Sequence, residues 1–399
     1  MEYVRLKDIG RIITGNTPPT SKMEYYGDYM PFIKATDIPL DRKCTLVTEQ
    51  SYSELAAKKY KESLVPKGST CVVTIGSIGK KMTYAHTDLF VNQAINAIIP
   101  KDSYDKEYVY YDIKYSVLPQ LKKLDSGTTS GRENISKSSF SSIRIPVIKD
   151  KNVQHRIASI LSTYDTLMEN NKKRIRLLEK MAENLYKEWF VRYRFPGHEK
   201  MEMENGLPKG WKWGKLGDIV NFLNGFAFKS KSFCAEGKFS IVTIKNVQAD
   251  GFDGNNTDKI LEIPSRMPKH CLLKEGDVLL SLTGNIGRVC RVLGSGYLLN
   301  QRVAKLKSER PLFCYCTFKS DYIYQSLNVI SYGTAQLNLS PVKALKIKLQ
   351  IPTTELMVRF EQQVEPVFAE IDNLQQQNTL LARQRDLLLP RLMSGKLEV

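Results

Sequence analysis

Two sets of turns in this chain carry side chains that can hydrogen-bond a polyanion and the edges of its bases. In the first set they are Asn16 and Thr17, Lys34 and Thr36, Ser77 with Lys80 and Lys81, and Thr128, Thr129, Arg132 and Asn134. In the second they are Asn224, Lys245 and Asn246, Asn285 with Arg288, Arg302, and Thr334, Gln336 and Asn338. Asn and Gln can pair with adenine edges, Arg and Lys with guanine, and Lys with phosphates. Glycines in the same turns let a loop approach a nucleic-acid backbone closely. Two readings stand for some of these positions. Gly76, Gly79, Gly284 and Gly287 serve either the approach or simply the turn, and Asn92-Gln93 and Asn300-Gln301 either face a ligand or hold loops from inside. Lys80, Lys81, Arg132, Arg288 and Arg302 are the expected direct contacts.

Patterns for catalysis are missing from the sequence. There is no Walker loop, no Gly-rich dinucleotide or S-adenosylmethionine loop, and no GxSxG elbow. Asn16-Thr17-Pro18-Pro19 reads as a turn. The seven cysteines form no CxxC pair and the four histidines no HExxH or finger pattern, so no metal is expected. Reduced thiols fit the cytosol, and Cys314 and Cys316 read as strand or core. No run of about 18 apolar residues occurs, so neither a membrane span nor a signal core is expected, and the expected location is cytoplasmic. Lys and Arg number 59 against 42 Asp and Glu, a formal charge of +17 on 399 residues. That balance favours a nucleic-acid partner, and the length suits two to three domains.

The elements that must position these turns are written twice. Leu6-Lys7-Asp8-Ile9 with Thr14-Gly15 recurs as Leu216-Gly217-Asp218-Ile219 with Asn224-Gly225. Gly76-Ser77-Ile78-Gly79-Lys80 recurs as Gly284-Asn285-Ile286-Gly287-Arg288, and Asn92-Gln93 as Asn300-Gln301. The copies stay in order, which marks a tandem duplication. Residues 1–150 read as a mixed α/β module with short β-type runs from Cys71, Ala94 and Ile143. Residues 151–196 read as one long helix, 197–210 as a polar linker, 211–352 as the second module and 353–399 as a second long helix. On a heptad, Ile157, Tyr164, Asn171, Leu178 and Leu185 take one seam position of the first helix. Ile160, Leu167 and Met181 take the other, with Leu161, Met168, Ile175 and Ala182 beside it. In the second helix Val364, Ile371 and Asn378 face Val367, Leu374, Leu381 and Leu388, with Arg385 as a polar seam position. Pro366 suits the first turn of that helix, and Pro390 should kink or end it. Asp165 matches Asp372 and Asn171 matches Asn378 across the repeat, and the asparagines are expected to fix register. The fold class is α+β: two repeated mixed α/β modules joined by two long helices packed as an antiparallel coiled coil, with a pseudo-two-fold axis between the modules.

Taken together these motifs resemble the specificity subunit of type I restriction–modification systems. The resemblance rests on Leu6 to Pro18 and its partner Leu216 to Gly225, on Leu207-Pro208-Lys209-Gly210-Trp211, and on the paired Gly-x-Ile-Gly and Asn-Gln turns. It rests also on Asn134-Ile135-Ser136 and Asn338-Leu339-Ser340, on Gln154-His155-Arg156-Ile157 through Asp165, and on Leu389-Pro390-Arg391-Leu392-Met393-Ser394-Gly395. The chain departs from the pattern near Leu356-Met357-Val358-Arg359, where the family often has Glu-Gln. The resemblance implies target-recognition domains that each read one half of a split double-stranded DNA sequence, with the helices as a ruler for the unread spacer. It implies two methyltransferase subunits and restriction–translocation subunits as partners. S-adenosylmethionine, ATP and Mg would sit on those partners, with no cofactor in this chain. Two other classes compete: an enzyme acting alone, and a scaffold whose modules never touch DNA.

Overall fold

Thr70 to Val73 are four consecutive buried residues, and a strand with no polar face belongs inside a sheet. In the computed structural model, which describes residues 1–40, 42–124, 134–249, 251–255, 257–331 and 338–399, that strand lies between Ile95–Pro100 and Met82–Tyr84. Gly10–Thr14 pairs with the far side of Ile95–Pro100, and all three pairings are antiparallel. The same order recurs as Asn221–Asn224, Val303–Lys307, Val278–Ser281 and Val289–Arg291. A smaller sheet contains one parallel pairing in each copy, Met30–Ile33 on Phe90–Val91 and Phe239–Val242 on Tyr297–Leu299. A two-stranded ribbon also recurs, Glu2–Arg5 on Arg144–Val147 and Lys212–Lys215 on Lys348–Ile351. The duplication therefore extends from motifs to hydrogen-bond topology.

The chain divides into two compact units, Met1–Asn170 with Asn378–Val399, and Asn171–Gln377. The division falls inside both long helices, Lys151–Tyr186 and Thr354–Met393. In the first unit Leu6, Tyr108, Tyr111 and Phe140 share a core with Ile157 and Leu161 of the first long helix and Leu389 and Leu392 of the second. In the second unit the core gathers Trp189, Phe190, Phe313, Phe360, Val364 and Leu374. The Phe190 ring lies 5.0 Å from Phe360 and 4.9 Å from Phe313. Burying each such ring contributes about 1.5–3 kcal/mol.

Within the first unit Asp165 meets Arg385. Within the second, Asn171 Nδ2 lies 3.4 Å from Gln377 Oε1, Arg174 pairs with Glu370 at 2.7 Å, and Tyr186 packs on Phe360. In the second unit the partner's number falls as the first helix's rises, from Asn171–Gln377 through Arg174–Glu370 to Tyr186–Phe360, so the paired segments there run antiparallel. Ile157, Asn171, Ile371 and Leu374 are buried, while Tyr164, Leu178, Leu185, Asn378, Leu381 and Leu388 are half-buried. The expected companion seam is a correction. Leu167 and Met181 are 45% and 54% exposed, and Ile160 is also exposed. Leu161, Met168, Ile175 and Ala182 are buried in their place. At about 100° per residue, a step of three turns roughly 60° to one side and a step of four roughly 40° to the other. The packed stripe follows the second.

Other expectations also change. Pro366 lies deep inside the second helix, not in its first turn, because the helix begins at Thr354. Pro366 and Gln362 are both exposed, so the carbonyl left without a partner lies on the solvent side. Pro390 does not end the helix, which continues to Met393 before Gly395 turns at φ +68°. Cys314 and Cys316 are core residues of a helix, Pro311–Lys319, not of a strand. A wholly apolar run carries no period that tells the two apart. Residues 197–210 contain a hairpin, Met203–Glu204 on Leu207–Pro208, whose Asn205-Gly206 turn has both φ values positive. Among the described residues, no helix is long and apolar enough to cross a membrane.

One buried carboxyl makes the fold sensitive to pH. Asp112 is 1% exposed and its Oδ1 accepts the Ser116 hydroxyl at 2.7 Å. Burial pushes its pKa up to about 7, against the lowering effect of Ser116. A pKa raised on folding supplies stability that is complete at low pH and lost as pH rises through about 7. Asp112→Asn removes that dependence. Relative to the parent, it should gain on the order of 2 kcal/mol between pH 5 and pH 8. Thermal melts at the two pH values check this, and a parallel shift of both proteins would contradict it.

Candidate nucleic-acid interface

The turns at one end of each unit are laced together by backbone contacts that only certain residues permit. Strand Gly10–Thr14 runs into Gly15, where an added Cβ would lie 2.1 Å from the Val91 carbonyl oxygen. Gly225 is the same case, with the Asn300 oxygen at 2.1 Å. This close approach lets Asn16 N–H donate to Val91 O at 3.0 Å, and Phe226 N–H to Leu299 O at 2.9 Å. One strand further on, Asn92 N–H donates to Ile33 O at 3.0 Å and Asn300 N–H to Val242 O at 3.1 Å. Tyr52, buried against Phe90 with ring centroids 4.4 Å apart, donates its hydroxyl to Asn16 O at 2.7 Å. Burial holds that phenol above its ordinary pKa, so it stays a donor.

The Gly-x-Ile-Gly turns share a second design. Gly76 and Gly79 adopt φ of +86° and +69°, and Gly284 and Gly287 of +70° and +78°. Between them Ile78 and Ile286 plug the core, while Ser77 and Asn285 face solvent. Each turn is tied to the segment after its neighbouring loop, Ile135 N–H to Thr74 O at 2.9 Å and Leu339 N–H to Leu282 O at 2.8 Å. The side chain between the glycines is displayed on a base that cannot drift.

Of the residues expected to meet DNA, Asn16, Thr36, Ser77, Lys80, Asn224, Lys245, Asn285 and Arg302 are exposed. Others are half-buried and engaged. Thr17 bonds Gln93, Lys34 pairs with Glu49 at 2.9 Å, Lys81 Nζ donates to Ala35 O at 2.9 Å, and Arg288 donates to Gln248 Oε1 at 2.9 Å. An exposed pair such as Lys34–Glu49 is worth about 0–1 kcal/mol, so Lys34 can exchange it for a phosphate. Asn134 and Asn338 are half-buried and bridge Ile75 and Thr283. Thr128, Thr129, Arg132, Thr334 and Gln336 lie outside the described residues.

Asn246 is a correction. It is 1% exposed, and its side chain is fully used. Oδ1 accepts Thr243 N–H at 2.8 Å and the Thr243 hydroxyl at 3.1 Å, while Nδ2 donates to Asp253 O at 2.8 Å and Asn255 O at 3.2 Å. Asp37 plays the first half of that role in the other copy, accepting Lys34 N–H at 2.8 Å. Both are side-chain-closed turns, so the type of residue is set from within. Two supporting residues had no signal in the sequence: Gln248, which orients Arg288, and His270, whose Nε2 lies 2.9 Å from Asn224 O.

What these surfaces offer is a set of hydroxyls, amides, ammonium groups and guanidinium groups on loops fixed to a sheet. Such groups suit groove edges and phosphates. Among the described residues, no group of three or more His, Cys, Asp or Glu could hold a metal ion.

A family model described as "Type I restriction modification DNA specificity domain" matches residues 1–180 and 208–381. The type I restriction enzyme MjaIX specificity subunit of Methanocaldococcus jannaschii is 29% identical over 99% of this chain and 93% of its own. The MjaVIII specificity subunit of the same organism is 25% identical over 100% and 93%. Among solved structures, the type I restriction-modification S subunit from M. genitalium shares the fold at a TM-score of 0.55 and 18% identity, covering 98% of this chain and 95% of that one.

Proposed function

Because the chain belongs to the type I restriction modification DNA specificity family, we propose that its two units each read one half of a bipartite double-stranded DNA target. The chain is the non-catalytic recognition component of its system. The observation that carries the reading is one frame with two displays. Equivalent turns are held by equivalent hydrogen bonds, yet they present Thr36 against Lys245, Ser77 against Asn285, and Lys80 against Arg288. Equal frames with unequal donors suit two different half-sites.

On this reading the long helices form an antiparallel coiled coil, pseudo-two-fold symmetric, that spaces the modules and scaffolds two methyltransferase subunits. Apolar side chains outside the packed stripe support the scaffold role. Ile160 and Leu167, and Leu380 and Leu387, are exposed at heptad spacing in the first unit, and Leu177 and Met181 are exposed one turn apart in the second. Apolar side chains left outside on a helix suit a partner protein. Restriction–translocation subunits join the same complex. S-adenosylmethionine, ATP and Mg act on the partners, and the chain works in the cytoplasm without a cofactor of its own.

Co-expression with the cognate methyltransferase, followed by mapping of methylated adenines, tests the reading. The expected result is a bipartite motif with a fixed spacer, and a continuous motif sinks it. DNA affinity of the assembled complex should also fall by about 10³–10⁵ between 50 and 200 mM salt if six to ten phosphates are contacted. Affinity indifferent to salt would remove the basic turns from the interface.

A further inference from the structure

The two-stranded ribbon carries an exposed aromatic side chain and two opposed cations on one face in both units, while the fourth position differs, Pro146 in one and Gln350, which accepts the Tyr193 hydroxyl at 2.7 Å, in the other. Tyr3 and Arg5 stand on one strand with Pro146 and Arg144 directly opposite. Trp213 and Lys215 stand with Gln350 and Lys348 opposite, in the same register. Alternation along a strand puts each foursome on one face. The other face is buried through Ile145 and Val147, and through Leu349 and Ile351. Tyr3 is 65% exposed and Trp213 62%. Arg5 against Arg144, and Lys215 against Lys348, are directly opposed like charges, which destabilise a ribbon. None of the four forms a salt bridge among the described residues. An acidic partner surface would relieve that repulsion and cover the ring.

We propose that this ribbon face is, in each unit, the seat of an acidic patch on one methyltransferase subunit. The inference rests on the functional reading above and adds the surface. What recurs in both copies, while the reading turns diverge, meets something present twice and alike. The DNA backbone is also alike at both half-sites, but the reading turn at Asn16 stands at the far end of strand Gly10–Thr14, whose five residues span roughly 17 Å at about 3.3 Å each. An aromatic ring beside cations fits the centre of a protein interface, where Trp, Tyr and Arg dominate binding.

The test titrates the full-length chain with purified cognate methyltransferase subunit, reading stoichiometry by native mass spectrometry and affinity by calorimetry. The parent should take up two partners. Trp213→Ser with Lys215→Glu and Lys348→Glu should lose about tenfold or more in affinity at one site and give a one-partner complex. Tyr3→Ser with Arg5→Glu and Arg144→Glu should do the same, and the combined variant should lose both sites. Milder variants, Lys215→Gln with Lys348→Gln, guard against misfolding and should weaken one site in the same direction. Variants that take up two partners at parental affinity overturn the inference alone. So does a loss confined to DNA affinity with a flatter salt dependence, which would assign the face to phosphates. A parent chain that takes up no methyltransferase overturns the functional reading, and the inference with it.

Discussion

Replacing Arg385 with alanine is expected to cost the first unit about 3–5 kcal/mol, the usual penalty for leaving a buried charge unpaired. Asp165 Oδ1 accepts Arg385 Nη1 at 2.5 Å and Oδ2 accepts the Tyr111 hydroxyl at 2.5 Å. The two charged side chains are 8% and 13% exposed. Burial alone would lower the Arg385 pKa, but Asp165, and after it Asp386, outweigh burial and raise it. The guanidinium is therefore charged at any working pH, and its loss strands a carboxylate beside a tyrosine. Replacing all three partners together, with Asp165→Leu, Arg385→Met and Tyr111→Phe, should return stability to within about 1–2 kcal/mol of the parent. Urea titration can localise the effect because all three tryptophans, Trp189, Trp211 and Trp213, belong to the second unit. Circular dichroism should reveal an early transition in Arg385→Ala while the tryptophan transition stays in place. A loss below about 1 kcal/mol would mean that the pair is effectively solvated.

Inserting one heptad between Asn170 and Asn171, and another between Gln377 and Asn378, should lengthen the unread spacer by about three base pairs. Seven residues add roughly 10 Å of helix at 1.5 Å each, and B-DNA rises about 3.4 Å per base pair. The insertion points matter. They coincide with the division between units, so Asp165–Arg385 stays within the first and Arg174–Glu370 within the second. Both half-sites should be unchanged in the methylome of the variant. The parental spacer in that methylome would refute the ruler.

The duplication was legible because it repeats residues whose types are forced. Gly15 and Gly225 recur because a Cβ has no room, and Ile78 and Ile286 because the turn must be plugged. The long helices were legible from an unbroken apolar period. The face that packs was not, because Leu167 and Leu161 are equally apolar and only the neighbours decide between a step of three and a step of four. Asn246 was misjudged for a related reason: an exposed amide and a buried, fully bonded one are the same letter. The Asn205-Gly206 turn carried a strong hairpin signal that was masked by the polarity of its surroundings. The departure near Met357 has a structural counterpart. In the first unit Gln154 is buried, accepting Asp105 N–H at 2.8 Å and donating to Ile148 O at 2.6 Å. In the second, Glu361 ties the helix to the module by accepting Phe313 N–H at 2.7 Å. Asp165 and Asp372 diverge likewise. Asp372 takes Arg291 of its own module, at 2.9 and 3.1 Å, where Asp165 takes Arg385 of the second long helix.

The division of the chain also orders its birth on the ribosome. The second unit is one continuous stretch, Asn171–Gln377, while the first needs both its opening 170 residues and Asn378–Val399. Leu389, Leu392 and Met393 are core residues of that first unit. The module translated first is thus the one completed last, after the later module already has every residue it needs. Until then its core lacks three side chains and Asp165 lacks its guanidinium. A nascent chain in this state is the species that chaperones must shelter. A message truncated just after Gln377 would release one finished unit joined to one that cannot close.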